Sequence, residues 1–329
     1  MNILVVGGAG YIGSHVVSDL RNSFHPIVLD NLSKGHAESV SGSKFILGSL
    51  HDKQALMQVL TQYQIEAVIH FAAYSLVGES MEKPAAYYEN NVAGTLALLD
   101  AMRQCGVKKL VFSSTAAVYG EPAVWPITEG QPTCPTNVYG RTKLMIEQII
   151  DDFSRAYGLQ YVILRYFNAA GAALDGAIGE DHNPESHLIP LILRTALGQR
   201  AAIDVYGSDY PTADGTCIRD YIHVCDLSKA HILALEHLLS GKESRTYNLG
   251  SETGFSVRQV IDKAKEVTGI DFAVREVSRR SGDPVVLVAS SQRIRQELGW
   301  TPQFSDLDTI LRTAWQWHRS HPNGYGRKP

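Results

Sequence analysis

Residues 3–13 read Ile3-Leu-Val-Val-Gly7-Gly-Ala-Gly10-Tyr-Ile-Gly13, and this stretch decides the fold of the chain. The four apolar residues before the first glycine are typical of a parallel strand that is buried on both faces. Glycine at positions 7, 10 and 13 permits a tight turn and a close approach of backbone N–H groups to a pyrophosphate at a helix N-terminus. The stretch therefore predicts a strand, a phosphate-binding turn and the start of a helix.

A second predicted strand, Pro26–Asp30, ends in an acid 23 residues after Gly7. A carboxylate at this place can bind the ribose diol of an adenosine, and it would repel a 2′-phosphate. The pattern therefore predicts NAD rather than NADP as the cofactor. The alternative is that Asp30 is an ordinary turn acid beside Asn31.

The alternation of strands and helices continues through the first half of the chain. Further strands are predicted at 44–48, 66–72, 109–113 and 161–165, and helices at 52–63, at 84–105 and between Asn137 and Gly158. Repeated β-α-β units imply a doubly wound parallel sheet with right-handed crossovers. We therefore predict an α/β fold of the Rossmann type.

The rhythm breaks after Asn168, where glycine, proline and polar residues dominate and helices follow only near 256–268 and 306–319. We predict an NAD-binding Rossmann domain at 1–168 and a smaller, mixed α/β substrate domain at 169–329, with segments of the second half returning to pack on the first. The tail 322–329 is expected to be loose.

Composition limits the classes of partner. The 329 residues are 44% hydrophobic and 19% charged, the net charge is −4, and no run of Lys or Arg stands out. Nucleic acid and membrane are therefore not expected as partners. No apolar run approaches the length of a membrane span. The four cysteines are scattered without Cys-x-x-Cys spacing, which favours a reducing compartment, so we predict a cytoplasmic protein. No metal site is predicted.

Tyr139 and Lys143 lie four residues apart in the predicted helix after Asn137, on the stripe that continues as Ile146, Ile150, Phe153 and Tyr157. In isolation, a Tyr packed by its ring and a Lys whose ammonium reaches water would be the better explanation of the pair, because this spacing often occurs by chance. Thr115, however, follows a predicted strand at the sheet edge where ligands bind. Together with the predicted cofactor site, this favours Thr115, Tyr139 and Lys143 as a catalytic set. His70, within an apolar strand, is interpreted as a core residue.

A dinucleotide fold with these three residues resembles the short-chain dehydrogenase/reductase superfamily. Further segments closely resemble its UDP-glucose 4-epimerase family, within the NAD-dependent epimerase/dehydratase group, and the resemblance covers essentially the whole chain. These segments are Gly7-Gly-Ala-Gly-Tyr-Ile-Gly-Ser-His15, Val77-Gly-Glu-Ser80, Asn90-Asn-Val-Ala-Gly-Thr95, Arg165-Tyr-Phe-Asn-Ala-Ala-Gly171, Asp209-Tyr-Pro-Thr212, Arg219-Asp-Tyr-Ile-His-Val224 and Tyr247-Asn-Leu-Gly250.

The resemblance implies an isomerase of galactose metabolism that inverts C4 of a UDP-hexose through a 4-keto sugar, with tightly bound NAD. Tyr139 would be the general base, and Thr115 would hydrogen-bond the 4-oxygen. A free phenol has a pKa near 10. An ammonium on Lys143, ~6 Å away, would lower it by about 2 at an effective dielectric of ~20. The charged nicotinamide would supply the rest. The family also implies a homodimer through a bundle of the helix at 84–105 and the Tyr139 helix.

The resemblance also implies the binding residues. For the cofactor they are Gly7, Gly10, Tyr11, Ile12, Gly13, Asp30, Asn31, Phe71, Ala72, Asn91, Ser113, Tyr139, Lys143 and Tyr166. For the UDP-sugar they are Thr115, Tyr139, Asn168, Leu188, Tyr206, Arg219, Arg280, Asp283 and Leu287. Within this second set the two arginines would contact the diphosphate, Asp283 the ribose, Tyr206 the uracil and Leu287 the sugar near C2.

Some positions depart from the family pattern, and alternatives stay open. Ser49 replaces an Asp that reads the adenine, and Ser75 replaces a Lys that reaches the cofactor in some relatives. A nucleotide-sugar dehydratase needs an acid–base pair where Ala116 and Ala117 follow Thr115. The same gap disfavours a plain dehydrogenase less strongly. A catalytically idle NAD-binding regulator would not need the catalytic set. Epimerases of N-acetylhexosamines or pentoses are further alternatives.

Overall fold

A computed structural model describes residues 1–280 and 283–326 of the chain. Within them the strands, in chain order, are β1 (Asn2–Val6), β2 (His25–Asp30), β3 (Lys44–Leu47), β4 (Ala67–His70), β5 (Lys109–Ser113), β6 (Gln160–Arg165), β7 (Asn168–Ala170), β8 (Ile203–Tyr206), β9 (Ile218–Arg219), β10 (Tyr221–His223), β11 (Arg245–Asn248), β12 (Phe255–Ser256), β13 (Val274–Val277) and β14 (Val286–Leu287).

The helices of the same residues are α1 (Tyr11–Leu20), α2 (Lys53–Gln62), α3 (Val77–Glu82), α4 (Pro84–Tyr87), α5 (Gly94–Gln104), α6 (Val138–Tyr157), α7 (Leu188–Ala196), α8 (Val224–Leu239), α9 (Val257–Thr268), α10 (Gln292–Leu298) and α11 (Leu307–Ser320). None of them combines the length and the apolar character needed to cross a bilayer.

Seven strands form a central sheet in the order β11-β6-β5-β4-β1-β2-β3. Every neighbouring pair in this sheet is parallel. The order of the strands reverses between β1 and β4, and doubly wound sheets bind their ligands at the carboxyl ends of the strands around that point. The predicted Rossmann-type α/β fold is therefore confirmed.

The side chains of β1 show why the sheet is covered on both faces. Ile3 and Val5 lie in one core, beneath α1 and α8, while Leu4 and Val6 lie in a second core beneath α2, α5 and α6. All four are fully buried. Burial of such a side chain stabilises the fold by roughly 1.5–3 kcal/mol. A continuous apolar run is thus what a strand between two helical layers requires.

The second half of the chain supplies part of this sheet and a separate core. Strand β11 pairs with β6 at the sheet edge, and α8 packs beside α1. A third core lies among α7, α9, α11 and β8. Smaller sheets join β10 to β7, β12 and β14 to β9, and β13 to β8. The division of the chain into domains at residue 168 stays a prediction.

Helix α6 begins and ends as the sequence predicts. The Asn137 side chain accepts a hydrogen bond from Gly140 N, and Gly158 ends the helix in the left-handed region at φ 71°. Lys143 and Ile146 are buried. Tyr157, however, is 51% exposed, so its assignment to the inward stripe was wrong. The last turn extends past the core, and the ring packs there against the Arg103 guanidinium instead.

The helix predicted at 84–105 contains a wide turn. Between α4 and α5, residues Tyr88–Ala93 form a π-helical turn. Asn91 lies in it, and its amide bonds both backbone groups of Tyr74 and, at 3.1 Å, the Thr142 hydroxyl of α6. π-turns inside helices are frequent at functional sites. Here the turn connects a loop after β4 to the helix that carries Tyr139.

The prediction of a loose tail was wrong as far as Tyr325. The Tyr325 ring stacks on His36 at 5.0 Å between ring centres and contacts Trp317, and its hydroxyl bonds backbone atoms of Gly179. A C-terminal aromatic residue is therefore part of the packed structure. Residues 327–329 lie outside the described part of the chain.

Candidate active site

The glycine-rich turn between β1 and α1 has no room for side chains at two of its predicted positions. Gly7 has a φ of 76°, and a β-carbon there would lie 2.4 Å from Ala72 N. A β-carbon on Gly13 would lie 2.5 Å from Gly7 O. Helix α1 starts at Tyr11, with Gly10 as its N-cap. The turn thus presents open backbone at a helix N-terminus, as a pyrophosphate-binding site requires.

Asp30 lies at the end of β2 beside this turn and is 8% exposed. Its carboxylate accepts hydrogen bonds from Ala9 N at 3.0 Å and from Leu32 N at 2.8 Å. Burial raises the pKa of the carboxyl, and these backbone hydrogen bonds oppose that shift. Asp30 therefore supports the conformation of the glycine turn as well as standing where a ribose would bind.

The three predicted catalytic residues come from two elements at the carboxyl edge of the sheet. Thr115 follows β5, and its hydroxyl accepts a hydrogen bond from Ala117 N and interacts with the Tyr139 phenol. The Tyr139 backbone N donates to the Ser80 hydroxyl, which holds the first turn of α6. Lys143 Nζ donates to Ser113 O at 2.8 Å. The structure therefore brings Thr115 and Tyr139 together, and it places Lys143 one helical turn beyond Tyr139, against the end of β5.

The pKa values of this set differ from the expectation. Burial raises the pKa of Tyr139 to about 12, and the Thr115 hydroxyl offsets only part of the shift. Burial lowers the pKa of Lys143 to about 7, and Glu147 opposes that shift. The expectation that Lys143 would bring the phenol part of the way to neutrality is thus not met by the protein groups, because burial disfavours the phenolate and only the Thr115 hydroxyl offsets it.

A buried ion pair lies one helical turn beyond Lys143. Glu147 and Arg165, with side chains 6% and 10% exposed, meet at 2.5 Å and are joined by a second hydrogen bond of 3.0 Å. Ser114 donates to the same carboxylate, and Arg165 also donates to the Tyr119 hydroxyl. Sequence reasoning missed this network. The sequence offered one indication of it, since Glu147 lies four residues after Lys143 and therefore on the same side of the helix.

The other predicted cofactor residues surround the same edge of the sheet. Tyr11 and Ile12 start α1, Asn31 closes the turn after β2, and Phe71 and Ala72 follow β4, where both donate to Val6 O. Ser113 ends β5, and its hydroxyl meets the buried Tyr166 hydroxyl in a short hydrogen bond. The Asn91 side chain is hydrogen-bonded to Tyr74 and Thr142.

His70 is buried and is hydrogen-bonded to the Thr95 hydroxyl at 2.9 Å. Burial lowers its pKa to about 3, as expected of a core residue.

The polar residues predicted to bind a UDP-sugar form two pairs in the second half of the chain. Arg219 of β9 lies 3.3 Å from the Asp283 carboxylate and donates to Pro284 O. The Arg280 guanidinium lies over the Tyr206 ring, 3.8 Å from its centre. The predicted diphosphate contacts are therefore paired with the predicted ribose and uracil contacts.

Three further predicted residues lie on β14, β7 and α7. Leu287 of β14 pairs in register with Arg219 and packs against the cluster of Ala116, Val118, Tyr119 and Ile127 beside the catalytic loop. Asn168 of β7 donates to Asp220 O at 2.8 Å, and Leu188 is the first residue of α7. Asp220 was not predicted. It is fully buried, accepts from Ser251 N and Ala289 N, and burial raises its pKa to about 6.

Chemically, the arrangement places a phenol, a hydroxyl and a buried ammonium beside an open dinucleotide-type turn. Arginines, an aspartate and a tyrosine lie in the second half of the chain. The first group can exchange a proton with an alcohol hydroxyl, and the second can hold a nucleotide diphosphate.

Comparison with known proteins extends over both halves. Residues 3–250 match the family described as NAD dependent epimerase/dehydratase family. The UDP-glucose 4-epimerase of Halalkalibacterium halodurans is 56% identical over 326 residues, which cover 99% of this chain and 98% of the relative.

Two solved structures are similar over nearly their full length. The UDP-glucose 4-epimerase from Brucella ovis in complex with NAD is 49% identical, with a TM-score of 0.94, covering 95% of this chain and 97% of that one. The enzyme of the same name from Bifidobacterium longum, in complex with NAD⁺ and UDP, is 38% identical, with a TM-score of 0.93, covering 99% and 100%. The likeness therefore extends over nearly the whole chain.

Proposed function

The chain belongs to the NAD dependent epimerase/dehydratase family, and from this membership and its site we infer that it inverts C4 of UDP-glucose. It is an enzyme, and its cofactor is NAD. The observation that carries the inference is the placement of Thr115, Tyr139 and Lys143 at the carboxyl edge of the sheet that also carries the glycine turn. The product of inversion is UDP-galactose.

The residues around the glycine turn fit NAD. Gly7 and Gly13 leave the backbone open to a pyrophosphate, and Asp30 offers a carboxylate to the adenosine ribose. Bound NAD would supply the hydride acceptor for C4 and the source of the hydride that returns to the opposite face of the sugar. Ser113 O already orients the Lys143 ammonium toward the cofactor edge of the sheet.

Tyr139 takes the proton of the sugar 4-hydroxyl and gives it back after inversion. Its pKa of about 12 in the protein makes it a weak base at neutral pH. A positive charge bound beside the ring lowers that pKa, so the base becomes active only in the loaded site. The Thr115 hydroxyl is hydrogen-bonded to the phenol and can relay the proton between the phenol and the sugar 4-oxygen. Lys143 then acts mainly by position, held between Ser113 O and the charge of Glu147.

The UDP part of the substrate is held by the arginine pairs. For uracil to stack on Tyr206, Arg280 has to leave the face of that ring. Its guanidinium is then available to the diphosphate, together with that of Arg219, because arginine suits bidentate phosphate binding. Asp283, released in part from Arg219, accepts from the uridine ribose. Arg219 and Arg280 thus exchange their protein partners for the diphosphate when the substrate binds.

The assembly is a homodimer and the location is cytoplasmic in this proposal. Helices α3, α5 and α6 expose Met81, Leu96 and Met145, which are 55%, 44% and 41% accessible and suit a helical interface. The four cysteines are unpaired, as a reducing compartment favours. Sedimentation of the purified protein tests the dimer, and a mass of one chain would contradict it. An NAD-binding unit at 1–168 and a UDP-sugar-binding unit at 169–329 complete the proposal.

One experiment separates the candidate reactions. Purified protein is incubated with UDP-galactose alone, and the nucleotide sugars and the absorbance of reduced cofactor are followed together. We expect UDP-glucose to form with no net release of NADH. Net NADH would indicate a dehydrogenase, loss of water from the sugar a dehydratase, and no turnover a binding protein. A panel of UDP-N-acetylhexosamines and UDP-pentoses in the same assay gives the substrate preference.

A further inference from the structure

The segment before α7 turns four potential metal ligands toward one point. They are carboxylate oxygens of Glu180 and Glu185 and the Nδ1 atoms of His182 and His187, and all four atoms lie within 4.8 Å of one another. Glu180 Oε1 lies 2.5 Å from His187 Nδ1 and 3.1 Å from His182 Nδ1. Glu185 Oε2 lies 3.8 Å from His182 Nδ1. None of these residues belongs to the catalytic set.

The hydrogen bonds within this cluster leave one buried carboxylate oxygen without a partner. Glu185 Oε1 accepts from the backbone N of Ser186 and His187. Its other oxygen, Oε2, is buried without a hydrogen-bond partner, on a side chain that is only 1% exposed. His182 Nδ1 is likewise buried and makes no hydrogen bond of good geometry, although Glu180 Oε1 lies 3.1 Å away. Buried polar atoms in proteins are normally satisfied. Two that point at the same place as two further ligand atoms therefore indicate a missing partner.

The chemistry of that partner follows from the charges and donor atoms. The two buried carboxylates face His182 and His187, whose pKa values they raise, to about 10 for His182. They also face Arg194, whose Nη2 atom is 3.9 Å from Glu185 Oε2 and beyond hydrogen-bonding range. A bound divalent ion would take the place of the imidazolium protons. Two imidazole nitrogens and two carboxylate oxygens suit a divalent first-row transition metal. In a tetrahedral zinc site, such ligand atoms lie ~3.3 Å apart. The separations among the four ligand atoms start at 2.5 Å and reach at most 4.8 Å, a range that includes this value.

We propose that Glu180, His182, Glu185 and His187 bind one divalent transition-metal ion, with zinc as the best match. The backbone N–H groups that hold Glu185 Oε1 fix the orientation of that ligand. The His182 and His187 side chains are 23% and 44% exposed, which leaves a path for the ion to enter. The proposal departs from the prediction made from the sequence, which included no metal site.

The position of the cluster defines what the ion does. The Tyr11 ring at the start of α1 lies 6.3 Å from the His182 ring, centre to centre, and Lys34 donates to Asn183 O. The segment that carries the ligands runs directly into Leu188. The ion therefore clamps the loop between the glycine turn and the UDP-sugar side of the site. It stabilises the protein and takes no part in hydride or proton transfer.

The test uses the full-length protein without a histidine tag, stripped with a chelator and dialysed against buffered free Zn²⁺. We expect about one zinc per chain by atomic absorption, a rise in Tm on adding zinc, and the visible spectrum of a tetrahedral site on substitution with Co²⁺. Glu185→Gln and His182→Asn should each weaken zinc binding by about 100-fold or more. His25→Asn is the matched control, because His25 is exposed and remote in sequence from the cluster.

The outcomes decide the proposal without reference to enzyme activity. If the unaltered protein binds no zinc or Co²⁺ at micromolar free metal, the cluster is an ion-pair network of protonated histidines and the proposal is wrong. If both ligand variants bind as tightly as His25→Asn, the metal lies elsewhere and the proposal is also wrong. Should a ligand variant fail to fold, the stoichiometry and Co²⁺ spectrum of the unaltered protein still decide between the two.

Discussion

Replacing Glu147 with glutamine should destabilise the protein far more than a change of one charge on its surface. Glu147 meets Arg165 at 2.5 Å, accepts a second bond from it at 3.0 Å, and accepts a third from Ser114. Both partners are almost fully buried. Glutamine keeps the shape of the side chain but leaves the guanidinium without a countercharge. The effect therefore measures the electrostatic part of the network behind Lys143.

The size of the loss can be worked out from this burial. Breaking a buried pair by removing one partner costs about 3–5 kcal/mol. Unfolding entropy of about 2.1 cal/mol/K per residue gives about 0.7 kcal/mol/K for a chain of 329 residues. We therefore expect Glu147→Gln to lower Tm by about 4–7 °C. Since Glu147 raises the pKa of Lys143, the variant should also bring that pKa below about 7.

Differential scanning calorimetry at pH 7.5 gives the measurement, with two controls. Arg155→Gln breaks an exposed pair with Asp151 on the same helix, and such pairs contribute at most about 1 kcal/mol. The double variant Glu147→Leu/Arg165→Met removes both charges and should recover most of the loss. A Glu147→Gln protein that melts no lower than Arg155→Gln would refute the reasoning, because the buried carboxylate would then carry no net electrostatic stabilisation.

Four further predictions follow from the site and the core. Tyr139→Phe keeps the ring but loses the base, so turnover of UDP-galactose should fall by about 10²–10⁴ at unchanged Tm, and near-normal turnover would remove Tyr139 from its assigned role. Asp30 should make the cofactor-free protein bind NAD more tightly than NADP, because the 2′-phosphate meets a carboxylate; equal affinities in a titration would contradict this. Leu287→Tyr should depress kcat/KM for UDP-N-acetylglucosamine more than for UDP-galactose, and Leu287→Ser should narrow the gap, since pocket changes of this size shift discrimination by ~1–3 kcal/mol. An unchanged ratio in both variants would show that Leu287 does not line the sugar pocket. Burial lowers the pKa of His231 to about 4. The unfolded chain therefore binds that proton first as the pH falls below about 6.5. His231→Phe should show a smaller loss of Tm between pH 7.5 and pH 5 than the unaltered protein, and equal losses would oppose this assignment.

Local features of the chain were determined by the sequence alone. The apolar run and glycines of residues 3–13 form a buried strand, a turn and the start of a helix, as predicted. On α6, the 3.6-residue period places Tyr139 and Lys143 one turn apart on the same side of the helix. Asn137 and Gly158 end that helix as their side chains predict. These features depend on neighbours along the chain, within one turn of helix or a few residues of strand. A single sequence therefore contains them in full.

Other features were decided only by the tertiary structure. Glu147 and Arg165 come from a helix and a strand, and nothing local predicts that their charges meet. The pKa of Tyr139 rises rather than falls, because the packed surroundings remove water from the phenolate. The Arg280 guanidinium lies on the Tyr206 ring although the two residues are far apart along the chain. Charge energies in a protein depend on burial and on distances of a few ångströms between remote segments. Those quantities exist only once the chain has folded, so no period or spacing in the sequence could state them.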